Sequence, residues 1–222
     1  MATGLSEVRA AVSAAAARVG RDPGEVTIVG VSKNASDDAV LAAYEEGLRD
    51  FGENRAEEFA ARATLLPADA RMHFVGRLQR NKVSRVRPLT HLLHSLDREE
   101  LASRWMKGPG MPPPVLVQVN VAGEPQKGGV VPGEAEALVA AAAGLGLEVR
   151  GLMTVPPLAE DPEASRPWFA ALRGMRDRLR QIQPTVVDLS MGMTNDYEVA
   201  VEEGATVLRV GRAIFGSFRD RD

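Results

Sequence analysis

The chain has 222 residues, 45% hydrophobic and 26% charged, which is the composition of a globular protein with room for one sizeable core. Twenty-seven Lys and Arg against 30 Asp and Glu leave a net charge of −3, so the chain lacks the basic footprint of a nucleic-acid or anionic-membrane binder. It has no cysteine, which excludes disulfides, thiolate nucleophiles and Cys-ligated metals, and its three histidines make a His-rich metal site unexpected.

The predicted elements follow one rhythm. The small apolar run Ala10–Val19 is framed by Glu7, Arg9 and Arg18, so it reads as an amphipathic helix and not as a secretory leader. No apolar run reaches the length of a membrane span, and a cytoplasmic location is expected. Then β-branched runs alternate with Ala/Leu/Glu-rich stretches. Strand Val26–Ser32 precedes helix Asp37–Glu46; strand Arg49–Gly52 precedes helix Arg55–Leu66. Strands Met72–Val75 and Leu92–Ser95 precede helices Asn81–Val86 and Arg98–Trp105. Strand Val115–Val121 leads to helix Pro132–Ala143, with Gly144 as its expected cap. Strand Glu148–Thr154 precedes the long helix Glu163–Ile182, and strand Val186–Ser190 precedes Asp196–Glu203. Strand Thr206–Val210 is followed by a short helix over Ala213–Phe218.

Eight strands, each followed by a helix, predict an α/β fold: a single (β/α)8 TIM barrel with an extra N-terminal helix, one domain over residues 1–222. A doubly wound open sheet is the alternative if one of the shortest strands is absent. The proline-rich stretch 109–114 falls in a helix-to-strand loop and need not divide domains.

In such a barrel, chemistry gathers at the carboxyl ends of the strands. Lys33 stands directly after the first strand, where partial desolvation would favour the neutral, nucleophilic amine able to form an imine with a carbonyl. Alone, a lysine there would more often simply reach into solvent. The seventh and eighth strands end in Ser190-Met191-Gly192-Met193-Thr194 and Gly211-Arg212, and both turns lead into helix starts. Glycine turns at helix amino termini suit a phosphate, although either could be only a tight turn. A lysine with a phosphate cup suggests a Schiff-base aldolase or a pyridoxal 5′-phosphate (PLP) protein. Arg209, on the last strand, favours the second: a guanidinium facing a pyridine nitrogen donates to it and keeps it unprotonated. A barrel-interior ion pair is the structural alternative for Arg209. His73 and His94 read as satisfied core histidines, the run Arg77, Arg80, Lys82, Arg85, Arg87 as a solvated face, and Met153, Met191 and Met193 as packing.

The chain resembles the pyridoxal phosphate homeostasis proteins (the YggS/PROSC family). The matching stretches are VGVSK (29–33), DFGEN (50–54), HFVGRLQRNK (73–82), HSLD (94–97), QKGG (126–129), RGLM (150–153), LSMGMTND (189–196) and LRVGRAIFG (208–216). The resemblance spans nearly the whole chain, about Val26 to Gly216. It implies a barrel similar to the alanine racemase amino-terminal domain, with PLP held as a Schiff base on Lys33. It implies phosphate contacts from Met193, Thr194, Gly211 and Arg212, Arg209 toward the pyridine nitrogen, Asn54 near the cofactor, and Lys127 as a second lysine in PLP handling. The chain departs from the usual pattern at Asn34-Ala35-Ser36, where Thr-x-Pro is common, and at Arg55, Thr194 and Arg212, where an aromatic residue, serine and threonine are usual.

A PLP racemase needs a second acid–base group facing the cofactor. Alanine racemase takes a tyrosine from a partner chain and carries an additional β domain. Here Tyr44 and Tyr197 fall in predicted outer helices, and the chain ends soon after the eighth unit. The expected function is a PLP carrier that buffers the cofactor or delivers it to PLP-dependent apo-enzymes, as a monomer and without catalytic residues. A PLP-dependent enzyme such as a weak amino-acid racemase is the alternative.

Overall fold

A computed structural model describes residues 4–216. Helix α1 (Leu5–Arg18) comes first, then β1 (Thr27–Val31) and α2 (Asp37–Glu45), β2 (Asp50–Glu53) and α3 (Ala56–Leu65). Next are β3 (Arg71–Phe74) with α4 (Val83–Val86), β4 (Leu92–Leu96) with α5 (Glu99–Met106), and β5 (Val115–Gln118) with α6 (Ala135–Gly144). The chain continues through β6 (Val149–Met153) and α7 (Arg166–Ile182), β7 (Asp188–Ser190) and α8 (Tyr197–Glu202), then β8 (Val207–Val210) and α9 (Arg212–Phe215). The strands pair in parallel in sequence order, and β8 pairs with β1 to close the barrel. Closure rules out the open sheet: strands β2, β4 and β8, the short ones on which that alternative turned, are all present.

Two apolar groups hold the barrel. The larger lies between strands and helices and includes Phe51, Phe59, Phe74, Trp105 and Phe169, all fully buried. Each such side chain contributes about 1.5–3 kcal/mol of burial. A smaller group, Leu92, Leu116 and Met153, is separate. Its members alternate along the strands with Leu93, Val115, Val117 and Leu152 of the larger core, so they face the barrel interior.

Helix α1 is amphipathic, as expected, and buries Leu5, Val8, Val12, Ala15 and Ala16 at helical spacing. It packs on α8 and α9. Arg18 bonds Glu198 and Glu202 on α8, and the Gly4 N–H donates to the Ile214 carbonyl at 3.0 Å. The extra helix therefore braces the helix behind Gly211.

Several boundaries differ from expectation. The helix predicted over 81–86 is a single turn, α4, flanked by 3-10 turns. Strand β5 stops at Gln118, because the Asn120 N–H bonds Val130 in the following loop instead of a strand neighbour. Gly144 is the last residue of α6, and the left-handed turn falls on Gly146, φ 90°. Arg87 is not on a solvated face. It is buried and bonds the carbonyls of Trp105, Pro109 and Gly110, which ties down the proline-rich loop between α5 and β5. Phe218, expected in the last helix, lies outside the described residues. Among the described residues no helix is long and apolar enough to cross a membrane.

Candidate functional site

The predicted site residues Lys33, Asn54, Met193, Thr194, Gly211 and Arg212 all lie just beyond strand carboxyl ends, and Arg209 lies within β8. Topology puts β7, β8, β1 and β2 side by side, so their loops share one mouth.

The loops after β7 and β8 touch. The Ala213 N–H reaches the Thr194 hydroxyl at 3.4 Å, and Arg212 donates to the Asn195 side chain at 3.0 Å. The Met193 N–H bonds Asp196 Oδ1 at 2.7 Å, and buried Asp196 also accepts from Ser165 at 2.8 Å. The turn needs its glycine. Gly192 has φ +92°, and a Cβ there would lie 2.5 Å from that of Ala200. Thr194, Gly211 and Arg212 are thus brought together at the head of α9. The Met193 amide is bonded to Asp196, and the Arg212 side chain is exposed.

Arg209 is fully buried below this mouth. It donates to Ser190 Oγ at 2.6 Å and to the Thr154 carbonyl at 2.8 Å. It forms no ion pair among the described residues, so the barrel-interior salt bridge is absent. Burial lowers its pKa to about 10, and Asp196 opposes that shift. It remains charged at neutral pH. Two of its roughly five N–H donors are used on protein acceptors, which leaves capacity for another.

On the other side of the mouth, Lys33 is exposed, not partly desolvated as its position after a strand suggested. Strand β1 ends at Val31, and Lys33 lies in a turn closed by the Ala35 N–H to the Ser32 carbonyl at 2.9 Å. Asn34 completes that turn with φ 61°, a left-handed conformation that asparagine tolerates better than most residues. The turn is anchored behind Lys33. Ser32 donates to Glu53 at 2.6 Å, and Glu53 is fully buried with Arg62 3.5 Å away. Burial raises the Glu53 pKa against the opposing bonds from Ser32 and Arg62, and its second oxygen has no hydrogen-bond partner. Beside it, Asn54 Oδ1 is also buried without a partner. Its backbone is pressed against Gly76, where a Cβ would lie 2.1 Å from the Asn54 carbonyl.

Lys127 stands apart in the loop after β5. It donates to the Pro156 carbonyl at 2.7 Å and pairs with Glu124, and these bonds strap the β5 loop to the β6 loop. Among the described residues it has no bond to Lys33 or to the turns of β7 and β8. His73 and His94 are buried and bonded, as expected. The sequence reading missed how they connect. His94 bonds Ser190, and so joins a chain that ends on Arg209. The available signal was a polar residue within β3, β4 and β8 and at an end of β2 and β7.

Residues 5–218 match the family model of the alanine racemase N-terminal domain. The chain belongs to that family. Within it, the pyridoxal phosphate homeostasis protein of Aquifex aeolicus is 41% identical, over 96% of each chain. That of Pseudomonas aeruginosa is 39% identical over 98% of this chain and 95% of its own length. Among solved structures, an unknown protein from Bifidobacterium adolescentis superposes with a TM-score of 0.88 at 32% identity, covering 96% of this chain and 93% of its own. PipY of Synechococcus elongatus with PLP bound superposes with a TM-score of 0.75 at 32% identity, covering 92% of this chain and all of its own.

Proposed function

We propose that this member of the alanine racemase N-terminal domain family binds PLP and serves intracellular PLP homeostasis, buffering or delivering the cofactor. The observation that carries the reading is Arg209: a buried guanidinium with spare donors and no carboxylate partner among the described residues fits a neutral nitrogen acceptor. Two further features fit the rest of the ligand. The Thr194 hydroxyl sits at the head of α9, where amides and helix end suit a phosphate, with Met193, Gly211 and Arg212 beside it. The unpartnered Asn54 Oδ1 lies toward the opposite side. The names of the relatives and the PLP-bound PipY structure support the same ligand.

Lys33 supplies the amine. Its Nζ, exposed at the mouth, would hold the cofactor through the cofactor's carbonyl carbon. When bound, PLP supplies a reactive carbonyl and an electron-withdrawing ring. Thr194 and the turns beside it would hold the phosphate, Arg209 would donate to the ring nitrogen and leave it unprotonated, and Lys33 would hold the aldehyde end. An unprotonated ring nitrogen is a poor electron sink, which favours storage over catalysis. Tyr44 is on α2 and bonds Asp69 on the outside, so it does not serve as an opposing acid–base group. Lys127, with its bonds between two mouth loops, is placed to influence release and not to hold the bound aldehyde. The protein acts as one unit over residues 1–222, in the cytoplasm, as a monomer that hands PLP to apo-enzymes.

Borohydride reduction of PLP-loaded protein, followed by peptide mapping, tests the reading. A pyridoxyl group on Lys33 is expected, and a group elsewhere would reject the assignment. Steady turnover of D- or L-amino acids by the pure protein would favour a racemase over a carrier.

A further inference from the structure

Five polar residues line up through the barrel interior. Asp50 Oδ1 is 2.9 Å from His73 Nε2, and His73 Nδ1 is 2.9 Å from His94 Nε2. His94 Nδ1 is 2.8 Å from Ser190 Oγ, which is 2.6 Å from an Arg209 N–H. All five are buried. At the far end, Arg71 Nε donates to Asp50 at 2.7 Å.

The two ends fix the direction of every bond. Arginine can only donate, and an ionised carboxylate can only accept. Arg71 and His73 hold Asp50 ionised, lowering its pKa to about 2 against the opposing effect of burial. His73 therefore carries a proton on Nε2 and, kept neutral by burial, accepts at Nδ1. His94 must then donate from Nε2 and accept at Nδ1. Ser190 gives its hydroxyl proton to His94 and turns a lone pair toward Arg209. With both histidines kept neutral by burial, one arrangement satisfies all four bonds, and both rings are in the same tautomer.

We propose that Asp50, His73, His94 and Ser190 form a one-way hydrogen-bond relay that positions Arg209, so that Asp50, at the opposite end of the barrel, is a positioning residue for the mouth. A proton added to His94 would turn its Nδ1 into a donor, leave the serine hydroxyl proton without an acceptor and set a second cation near Arg209. The surroundings oppose that proton. Burial, with His73, Arg209 and His91 nearby, holds His94 well below its ordinary value. Around His73, burial together with Arg71 and Arg150 outweighs Asp50. The contacts of the relay stand on geometry and their direction on the ionised Asp50 and the neutral rings; only the consequence for the ligand rests on the PLP reading above.

The test uses the full-length protein with 15N-labelled histidine. Long-range proton–nitrogen spectra from about pH 5 to about pH 8 are expected to show His73 and His94 as non-titrating Nε2–H tautomers. An Nδ1–H tautomer on either ring, or titration of His94 in that range, overturns the relay. In a second arm, Ser190→Ala and Asp50→Ala are each expected to weaken PLP binding about tenfold, while Asp50→Asn, whose amide oxygen still accepts, stays within about threefold. Asp50→Ala is also expected to leave His94 without a fixed tautomer. If Asp50→Ala and Ser190→Ala lower the melting temperature yet keep both the tautomers and the affinity, the residues are merely structural and the proposal fails. If the wild-type protein binds no PLP while the tautomers are as stated, the functional reading fails and the relay stands.

Discussion

The two sides of the barrel mouth are built differently. Around β7 and β8, side chains and amides are already bonded: Thr194 meets the head of α9, Met193 is fixed by Asp196, and Arg209 is fixed by Ser190 and Thr154. Around β1 and β2, Lys33 is exposed on a two-residue turn, and Asn54 and Glu53 each keep a buried oxygen without a partner. On the proposed PLP reading, the contrast separates two tasks. A rigid receptor for a charged tail and a ring nitrogen loses little by ordering on binding. On the same reading, an exposed amine would reach an aldehyde and let go of it again, as the proposed carrier requires.

The comparison can be broken most severely at the amine. Lys33→Ala should abolish the reducible adduct entirely yet retain weak non-covalent binding on the β7–β8 side, measured by equilibrium dialysis. Loss of all binding would mean that the rigid side is not a receptor by itself. Next in size is Arg209→Gln. Removing a charged hydrogen-bond donor to the ligand is worth about 1.5–3 kcal/mol, so PLP affinity should fall by about 10- to 100-fold in titration calorimetry.

Acid lability comes third. The folded-state pKa values of His73 and His94 are lowered by burial, so the unfolded chain binds protons that the folded chain refuses. Stability from these groups is fully present above the ordinary value of 6.5 and is lost as pH falls below it. Asp50, lowered to about 2, adds a further loss as pH falls below its ordinary 3.8. Chemical denaturation from pH 7 downward should therefore show stability falling first below about pH 6.5. A flat profile between pH 7 and pH 5 would contradict the buried neutral histidines.

The smallest effects sharpen the contrast. Thr194→Ala should weaken PLP binding by about 1 kcal/mol, and Thr194→Ser should leave it nearly unchanged, since the hydroxyl is the part used. Asn34→Gly should raise folding stability by about 0.5 kcal/mol by relieving the left-handed turn, with the loss of backbone entropy offsetting the rest. A destabilised Asn34→Gly would mean that the asparagine side chain, not the backbone, holds the Lys33 turn.

Much of this molecule was legible in the order of its residues. Alternating β-branched and helix-forming runs dictate parallel strands with helical crossovers, and a parallel sheet buried on both faces reads as apolar runs such as Val115–Val117. Glycine at 192 and 211 and the hydroxyl at 194 marked the turns, and at Gly192 the positive φ is the local conformational reason. Lys33 could be placed at a strand end from local pattern, but its exposure could not. That depends on the Ser32–Ala35 turn and on Glu53 taking the hydrogen bond of Ser32 from a neighbouring strand. Arg87 misled for the same reason: its partners Trp105, Pro109 and Gly110 lie well along the chain, and no periodicity reports them.

The sequence by itself determined the alternation, the register of small and polar residues at strand ends, and the lysine and glycine turns that mark the mouth. These are properties of a residue and its near neighbours. Only the closed barrel decided that Asp50, His73, His94, Ser190 and Arg209, drawn from five strands, meet in one buried file. The physical reason is that hydrogen-bond direction and the protonation of a buried ring depend on which groups close the chain at its two ends, and closure brings together residues far apart in sequence.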